Sequence, residues 1–229
     1  MIAQPSVRPP SSQKIQVPGP AGMLEALLES PASKDSNGMV LLCHPHPLHH
    51  GTMQNKVVHA LARAFLALRI IAVRFNFRGV GDSEGSYDAG EGEREDAVAM
   101  GQWMRQRWPE LTLYLGGFSF GAAVAARAAL RLAPAGLVTV ALPVERLTGD
   151  VGQARCPWLI IQGDEDEVVK ADTVITWLNS AQPGPELRVL VGADHLFHGR
   201  LAELRESVVE FFGPIVEGHD EEQPRRTDA

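Results

Sequence analysis

A single serine stands between two glycines in the segment Gly117-Phe118-Ser119-Phe120-Gly121, which has the pattern GxSxG. This pattern is typical of a sharp turn from a strand into a helix, which strains the serine backbone and leaves no room for side chains at the glycines. The apolar sequence LTLYLGG leads into the segment and the alanine-rich sequence AAVAA follows it. Ser119 is therefore the candidate nucleophile, and a glycine-rich structural turn is the alternative interpretation.

A serine hydroxyl at neutral pH needs a base to remove its proton, and the base needs a carboxylate to orient it. In chains with this kind of turn, the three residues occur in the sequence in the order Ser, Asp, His. The acidic sequence GDEDEVV follows one predicted strand, and GADH follows the next. Asp166 is preferred as the acid because it is far enough past its strand to turn back, whereas Asp164 sits at the strand end. His195 is the predicted base, and His198 is interpreted as a capping or surface histidine.

The tetrahedral intermediate of acyl transfer needs two N–H donors for its oxyanion. The amide of Phe120, directly after the nucleophile, is the first candidate. The second is expected in the loop CHPHPLHHG at residues 43–51, where the two prolines have no N–H and stiffen the chain. His46 or Leu48 remains near the apex of this loop, and His46 is preferred.

The same loop contains four histidines, which also suggest a metal site. Alternating histidines in a rigid loop could bind zinc or nickel, but no carboxylate completes an obvious site nearby. A structural role is favoured, so neither a metal nor a cofactor is expected. The four are His44, His46, His49 and His50.

Short apolar runs alternate with longer amphipathic patterns along the chain, as expected for strands alternating with helices. The predicted strands cover 14–17, 23–30, 39–43, 70–77, 111–118, 137–142, 158–162 and 186–191, and the predicted helices cover 55–69, 91–107, 120–132, 171–180 and 200–212. Most of the strands are apolar on both faces. The pattern indicates an α/β fold with a mostly parallel central sheet, an antiparallel N-terminal edge, and helices on both faces.

The chain has 229 residues, enough for one domain of ordinary size. Residues 15–217 form the predicted catalytic domain, while 1–14 and 218–229 have little apolar content and are expected to be flexible tails. Two cysteines without CxxC spacing argue against a zinc ribbon or a disulfide scaffold.

The charge and the apolar runs restrict the partners. With 21 Lys and Arg against 28 Asp and Glu, the net charge is −7, which argues against nucleic acid and anionic lipid surfaces. No apolar run is long enough to cross a membrane, and the N-terminus does not have the pattern of a signal peptide. We expect a cytoplasmic monomer or homodimer that acts on a small-molecule ester.

Five motifs together resemble the α/β-hydrolase superfamily, specifically small cap-less bacterial serine hydrolases related to the dienelactone-hydrolase branch. They are HPHPLHHGTMQNKVV (44–58), RFNFRGVGDSEG (74–85), GFSFG, GDEDEVV and GADHLF (192–197). The resemblance spans nearly all of residues 15–217 and implies an α/β-hydrolase fold, with Arg78 and Asp82 pinning the loop after the fourth strand. Dienelactone hydrolases proper use a cysteine nucleophile, so Ser119 points to ester hydrolysis without implying that lactone as substrate.

Only fifteen residues separate the predicted strands that end at Leu142 and begin at Trp158, too few for a helical cap. We therefore expect an open cleft that favours short or flexible acyl substrates. Its predicted apolar walls are Leu48, Met53, Leu142, Val169 and Phe197.

The resulting hypothesis is a carboxylesterase that works through Ser119, His195 and Asp166 and forms an acyl-enzyme. Thioesterases, peptidases and acyltransferases use the same groups and stay open as alternatives. A non-catalytic binding or scaffold protein is the alternative from another class.

Overall fold

The computed structural model of the protein describes residues 11–33, 35–147, 155–180 and 184–222, with side chains described to residue 218 in the last range. None of the helices in these ranges combines the length and the apolar character that a membrane span requires.

Eight strands of the described chain form one sheet in the order β1-β2-β4-β3-β5-β6-β7-β8. The antiparallel edge is β1 and β2, and the strands from β3 to β8 run parallel. The bounds are β1 Ser11–Gly19, β2 Gly22–Ser30, β3 Gly38–Cys43, β4 Ile70–Phe75, β5 Leu113–Phe118, β6 Gly136–Val140, β7 Trp158–Gly163 and β8 Glu186–Leu190. The predicted mixed sheet with an antiparallel N-terminal edge is confirmed.

Helices cover both faces of this sheet, as predicted. Apolar side chains of α1 and α5 form one core against the sheet, and those of α2, α3 and α4 form the other. The central strands are therefore buried on both sides, as expected for parallel strands between two helical layers. The bounds are α1 Lys56–Ala67, α2 Glu91–Arg107, α3 Phe120–Leu132, α4 Ala171–Ser180 and α5 Leu201–Glu222.

Two elements extend beyond the bounds that the sequence predicts. The strand β1 begins at Ser11, inside the segment predicted as a tail, because its backbone pairs with β2 as far as Ser11↔Ser30. The helix α5 continues past Phe212 to Glu222, with Pro214 inside it. Val216 is buried in the same core as Phe212, so apolar packing extends this helix through a proline that would ordinarily end it. The rest of the predicted tails, 1–10 and 223–229, lies outside the described residues.

The loop after β4 is pinned to α2 through Arg78. Its guanidinium lies 2.7 Å from the Asp96 carboxylate, which is fully buried, and the Arg78 amide donates to the same carboxylate. Asp82 contributes through its backbone, because its amide donates to Glu25 at 3.1 Å. This loop closes one side of the carboxyl edge of the sheet, where the strands that carry the candidate site residues end.

Candidate active site

Ser119 occupies a strained turn between β5 and α3. Its backbone angles are φ 55° and ψ −121°, and such a conformation costs a non-glycine residue about 1–3 kcal/mol. A Cβ at Gly117 would collide with the main chain of Gly121, and a Cβ at Gly121 would collide with the carbonyl oxygens of Cys43 and His44. The predicted need for glycine at both positions is confirmed. The turn holds the Ser119 side chain above the carboxyl edge of the sheet.

A chain of two hydrogen bonds connects Ser119 to a carboxylate. The Ser119 Oγ lies 3.2 Å from His195 Nε2, and His195 Nδ1 lies 2.8 Å from Asp166 Oδ2. The imidazole also packs against the Phe118 ring, with centroids 5.1 Å apart. A ring held in this way can accept the hydroxyl proton while the carboxylate stabilises the resulting charge.

The acid loop, which we define as residues 163–169, surrounds the Asp166 carboxylate with donors. Its Oδ1 accepts the amides of Val168 and Val169 at 2.9 and 2.8 Å, and its side chain is fully buried. Burial by itself would raise the pKa of Asp166, but the hydrogen bond from His195 and the two amides outweigh it, so the pKa lies below its usual value. The carboxylate is therefore ionised when it accepts from His195.

Gln162, at the end of β7, is a contributor that the sequence analysis missed. This fully buried side chain donates from Nε2 to the Val169 carbonyl at 2.7 Å and lies 3.2 Å from Asp166 Oδ2. This hydrogen bond connects the end of β7 with Val169, the last residue of the acid loop. The available signal was a lone amide in the otherwise apolar strand WLIIQG.

The two alternative residues have other contacts. Asp164 Oδ1 accepts the amide of Gly192 at 2.6 Å and so joins the acid loop to the turn before His195. His198 Nδ1 lies 2.6 Å from the carboxylate of Asp194, and both side chains are exposed. The structure thus brings Ser119 together with His195 and Asp166, as the sequence predicts.

The histidine loop, which we define as residues 44–51, approaches Ser119 from β3. His46 and Phe120 both line the cavity beside Ser119. Phe120 is the first residue of α3, where a backbone N–H has no partner inside its helix. Within the described residues the His46 N–H also lacks an acceptor, whereas the Leu48 N–H donates to His46 Nδ1 at 3.2 Å. His46 thus offers a free amide in this loop, whereas Leu48 does not.

Two of the four loop histidines have both ring nitrogens occupied. His44 Nε2 accepts the amide of Phe77 at 3.1 Å, so its Nδ1 carries the proton that is donated to the Pro45 carbonyl at 2.7 Å. Burial lowers the pKa of His44 to about 4. His46 uses Nδ1 for Leu48 and Nε2 for the hydroxyl of Tyr87, 3.1 Å away. The hydrogen bonds of the His44 and His46 rings therefore hold the histidine loop in place.

A cavity of about 370 Å³ opens beside Ser119, between the histidine loop, the turn after β6 and the acid loop. Of the five predicted wall residues, Val169 lines it. The prediction is wrong for Met53, Leu142 and Phe197, each at most 2% exposed, because their side chains turn into the core. It is also wrong for Leu48, whose side chain is 67% exposed to solvent and is not part of the cavity lining.

The match to known proteins covers most of the chain. Residues 39–207 match the family described as "Alpha/beta hydrolase domain", which is more than half of the sequence.

The chain belongs to this family.

Two solved structures and one curated protein are among this hydrolase's relatives. An alpha-beta serine hydrolase homologue from Coxiella burnetii is 45% identical, with a TM-score of 0.83, covering 86% of this chain and 96% of its own. An a/b serine hydrolase without lid from Xanthomonas campestris is 39% identical, with a TM-score of 0.84, covering 91% and 97%. An uncharacterized protein from Rickettsia prowazekii is 32% identical over 84% of this chain and 85% of its own.

The absence of a lid in the Xanthomonas structure agrees with the short connection between β6 and β7 of this hydrolase. Among the residues that the structure describes, no helical cap lies over the carboxyl edge of the sheet. Part of this connection in the present chain, residues 148–154, lies outside the described residues.

Proposed function

We propose that the protein is a serine esterase that cleaves short or flexible carboxylic esters. His195 removes the proton of Ser119, whose oxygen attacks the acyl carbonyl and forms an ester bond to the acyl group as the alcohol leaves. His195 returns the proton to that alcohol, and a water molecule activated by His195 then releases the acid. Asp166 orients the imidazole and stabilises its positive charge.

The amides of Phe120 and His46 are the proposed oxyanion donors. Both residues line the same cavity as Ser119, and neither amide has a partner among the described residues. Preorganised donors of this kind contribute on the order of 3–4 kcal/mol each to transition-state stabilisation.

The hydrogen-bonded chain from Ser119 through His195 to the buried Asp166 carries this proposal, because it opens directly on a cavity. Serine and imidazole at 3.2 Å are within the range at which proton transfer tightens as substrate binds. The cavity of about 370 Å³ is near the lower end of the range for small-molecule sites, which favours small acyl groups. The related serine hydrolase structures support the same reaction class.

The test is hydrolysis of p-nitrophenyl butyrate by the purified protein and two serine variants. We expect turnover by the wild type, loss by a factor of about 10³ or more in Ser119→Ala, and full activity in Ser180→Ala. Ser180 is a matched control because its exposed hydroxyl only bonds within the end of α4. Absence of ester hydrolysis in the wild type, or equal rates in Ser119→Ala and Ser180→Ala, would contradict the proposal.

A further inference from the structure

A full positive charge stands beside the candidate nucleophile on the turn after β6. Arg146 ends the short 3₁₀ helix Val144–Arg146 and lines the cavity next to Ser119. Its guanidinium carbon lies 5.6 Å from the centroid of the Phe120 ring, and Phe120 directly follows Ser119. Among the described residues, no carboxylate pairs with this guanidinium. Within the described part of the chain, Arg146 is thus exposed and unpaired, so its guanidinium can meet a ligand.

The neighbouring polar groups of the cavity add hydrogen-bond donors. The Asn55 side-chain oxygen accepts the amides of Val57 and Val58 at the start of α1, which leaves its NH₂ group as the part available to the cavity. His49 and His50 also line the cavity. His49 packs edge-on against His46 with centroids 4.8 Å apart, so it lies beside the residue that carries one of the proposed oxyanion amides.

Glu145 is the single acid among the lining residues of this cavity and must be weighed against Arg146. The Arg146 guanidinium lies over the Phe120 ring, whereas within the described residues no hydrogen bond or ion pair holds the Glu145 carboxylate near Ser119. The pKa of His46 is lowered first by burial and then by His49 and Arg146, with no carboxylate raising it. Arg146 is therefore close enough to His46 to act on its ring, on the Phe120 side of the cavity.

We infer that the preferred substrates are esters that carry a carboxylate or phosphate group, and that Arg146 is the specificity-determining residue that binds this group. The inference rests on the proposed esterase function and names the substrate class of the same site. A guanidinium suits both anions because its planar N–H groups can form two parallel hydrogen bonds to them. The small cavity places such a group a few bonds from the reacting carbonyl.

The test compares anionic esters with their neutral methyl esters. The pairs are mono-p-nitrophenyl adipate, with the charge on the acyl part, and 4-acetoxybenzoate, with the charge on the leaving group. A third pair, 4-acetoxyphenyl phosphate and its dimethyl ester, distinguishes phosphate from carboxylate. For each pair the measured quantity is the ratio of kcat/KM for the anionic ester to kcat/KM for the neutral one.

We expect a ratio of about ten in the wild type for at least one pair, falling about ten-fold in Arg146→Gln. Arg146→Lys should restore the ratio in part, because it keeps the charge but not the paired hydrogen bonds. Arg107→Gln is the matched control, because Arg107 also lies over an aromatic ring, 5.5 Å from the Trp108 centroid, at the far end of α2. Glu145→Gln should leave the ratio unchanged or raise it. High salt should lower the ratio in the wild type.

A wild-type ratio of one or less for all three pairs would overturn the inference, as would equal ratios in Arg146→Gln and Arg107→Gln. A fall in the ratio in Glu145→Gln would also overturn it, because the acid would then be helping the anion bind. These outcomes differ from failure of the proposed function, which would appear as no Ser119-dependent hydrolysis of the neutral esters either.

Discussion

The acid loop and the histidine loop approach Ser119 from opposite sides, since β7 and β3 lie on either side of β5 in the sheet. Main-chain amides and a buried amide side chain fix the carboxylate of the acid loop. Ring nitrogens and ring packing hold the histidine loop, through His44, His46 and Tyr87. The acid loop thus fixes one charge with many donors, whereas the histidine loop fixes backbone amides with neutral rings.

This difference implies different sensitivities. A change in the acid loop should affect the chemical step, because Asp166 acts directly on His195. A change in the histidine loop should mainly affect stability or the fine position of an amide. Variants of the two loops should therefore differ in which quantity they change and by how much.

Replacement of the acid-loop carboxylate should have the largest effect. We expect Asp166→Asn to lower kcat by a factor of about 10³–10⁴, because an amide no longer stabilises the correct form of His195. Asp164→Asn, whose side chain accepts from Gly192, should cost less than about ten-fold. Steady-state hydrolysis of p-nitrophenyl butyrate distinguishes them, and equal losses in the two variants would refute the assignment of Asp166.

His44, at the start of the histidine loop, should make the stability of the fold depend on pH. His44 has a pKa of about 4 in the folded protein against 6.5 ordinarily, so its stabilising contribution is complete above 6.5 and declines as pH falls toward 4. Between pH 7 and pH 5 the free energy of unfolding should drop by about 2 kcal/mol from this group. Denaturant unfolding at the two pH values measures this drop.

The matched variant for that measurement is His44→Gln. It should lose about 2 kcal/mol less than the wild type between the two pH values, because other titrating groups are common to both proteins. Equal pH dependence in the wild type and His44→Gln would show that burial of His44 does not control acid stability.

The buried amide that closes the acid loop should have a smaller, positional effect. Gln162→Leu removes donors to Val169 and Asp166 while keeping the side-chain volume, and we expect kcat to fall about ten-fold. The exposed Gln102 on α2 offers the control Gln102→Leu. In an Asp166→Asn background the effect of Gln162→Leu on kcat should shrink; an undiminished effect would mean that Gln162 does not act through Asp166.

The smallest effect is expected at the tip of the histidine loop. Tyr87→Phe removes the hydroxyl that lies 3.1 Å from His46 Nε2 but keeps the ring that packs on Phe120. Since a single partly exposed hydrogen bond contributes about 0.5–1.5 kcal/mol, kcat/KM should fall about two- to ten-fold. A loss as large as that of Asp166→Asn would erase the contrast between the two loops.

The sequence predicts the fold and the order of Ser119, Asp166 and His195 because both depend on local patterns. Alternating apolar runs determine the parallel sheet, and a strand-to-helix turn with two glycines identifies Ser119. The end of α5 was not predicted, since Gly213 and Pro214 are helix breakers by local preference, yet burial of Val216 sustains the helix.

The walls of the cavity were not predictable for a related reason. Whether Met53, Leu142 or Phe197 faces the cleft or the core depends on backbone angles, such as φ 54° at Phe197, that no sequence period specifies. Arg146 was missed because it lies on a short turn without a motif. Its position over Phe120 arises only when β6 is placed beside β5.

The most direct test of the central claim is covalent labelling with a fluorophosphonate, followed by intact-mass measurement and peptide mapping. We predict one adduct per chain on the peptide that contains Ser119, no adduct in Ser119→Ala, and greatly slowed labelling in His195→Ala. No labelling of the wild type, or an adduct that persists in Ser119→Ala, would contradict the assignment of Ser119 as a nucleophile activated by His195.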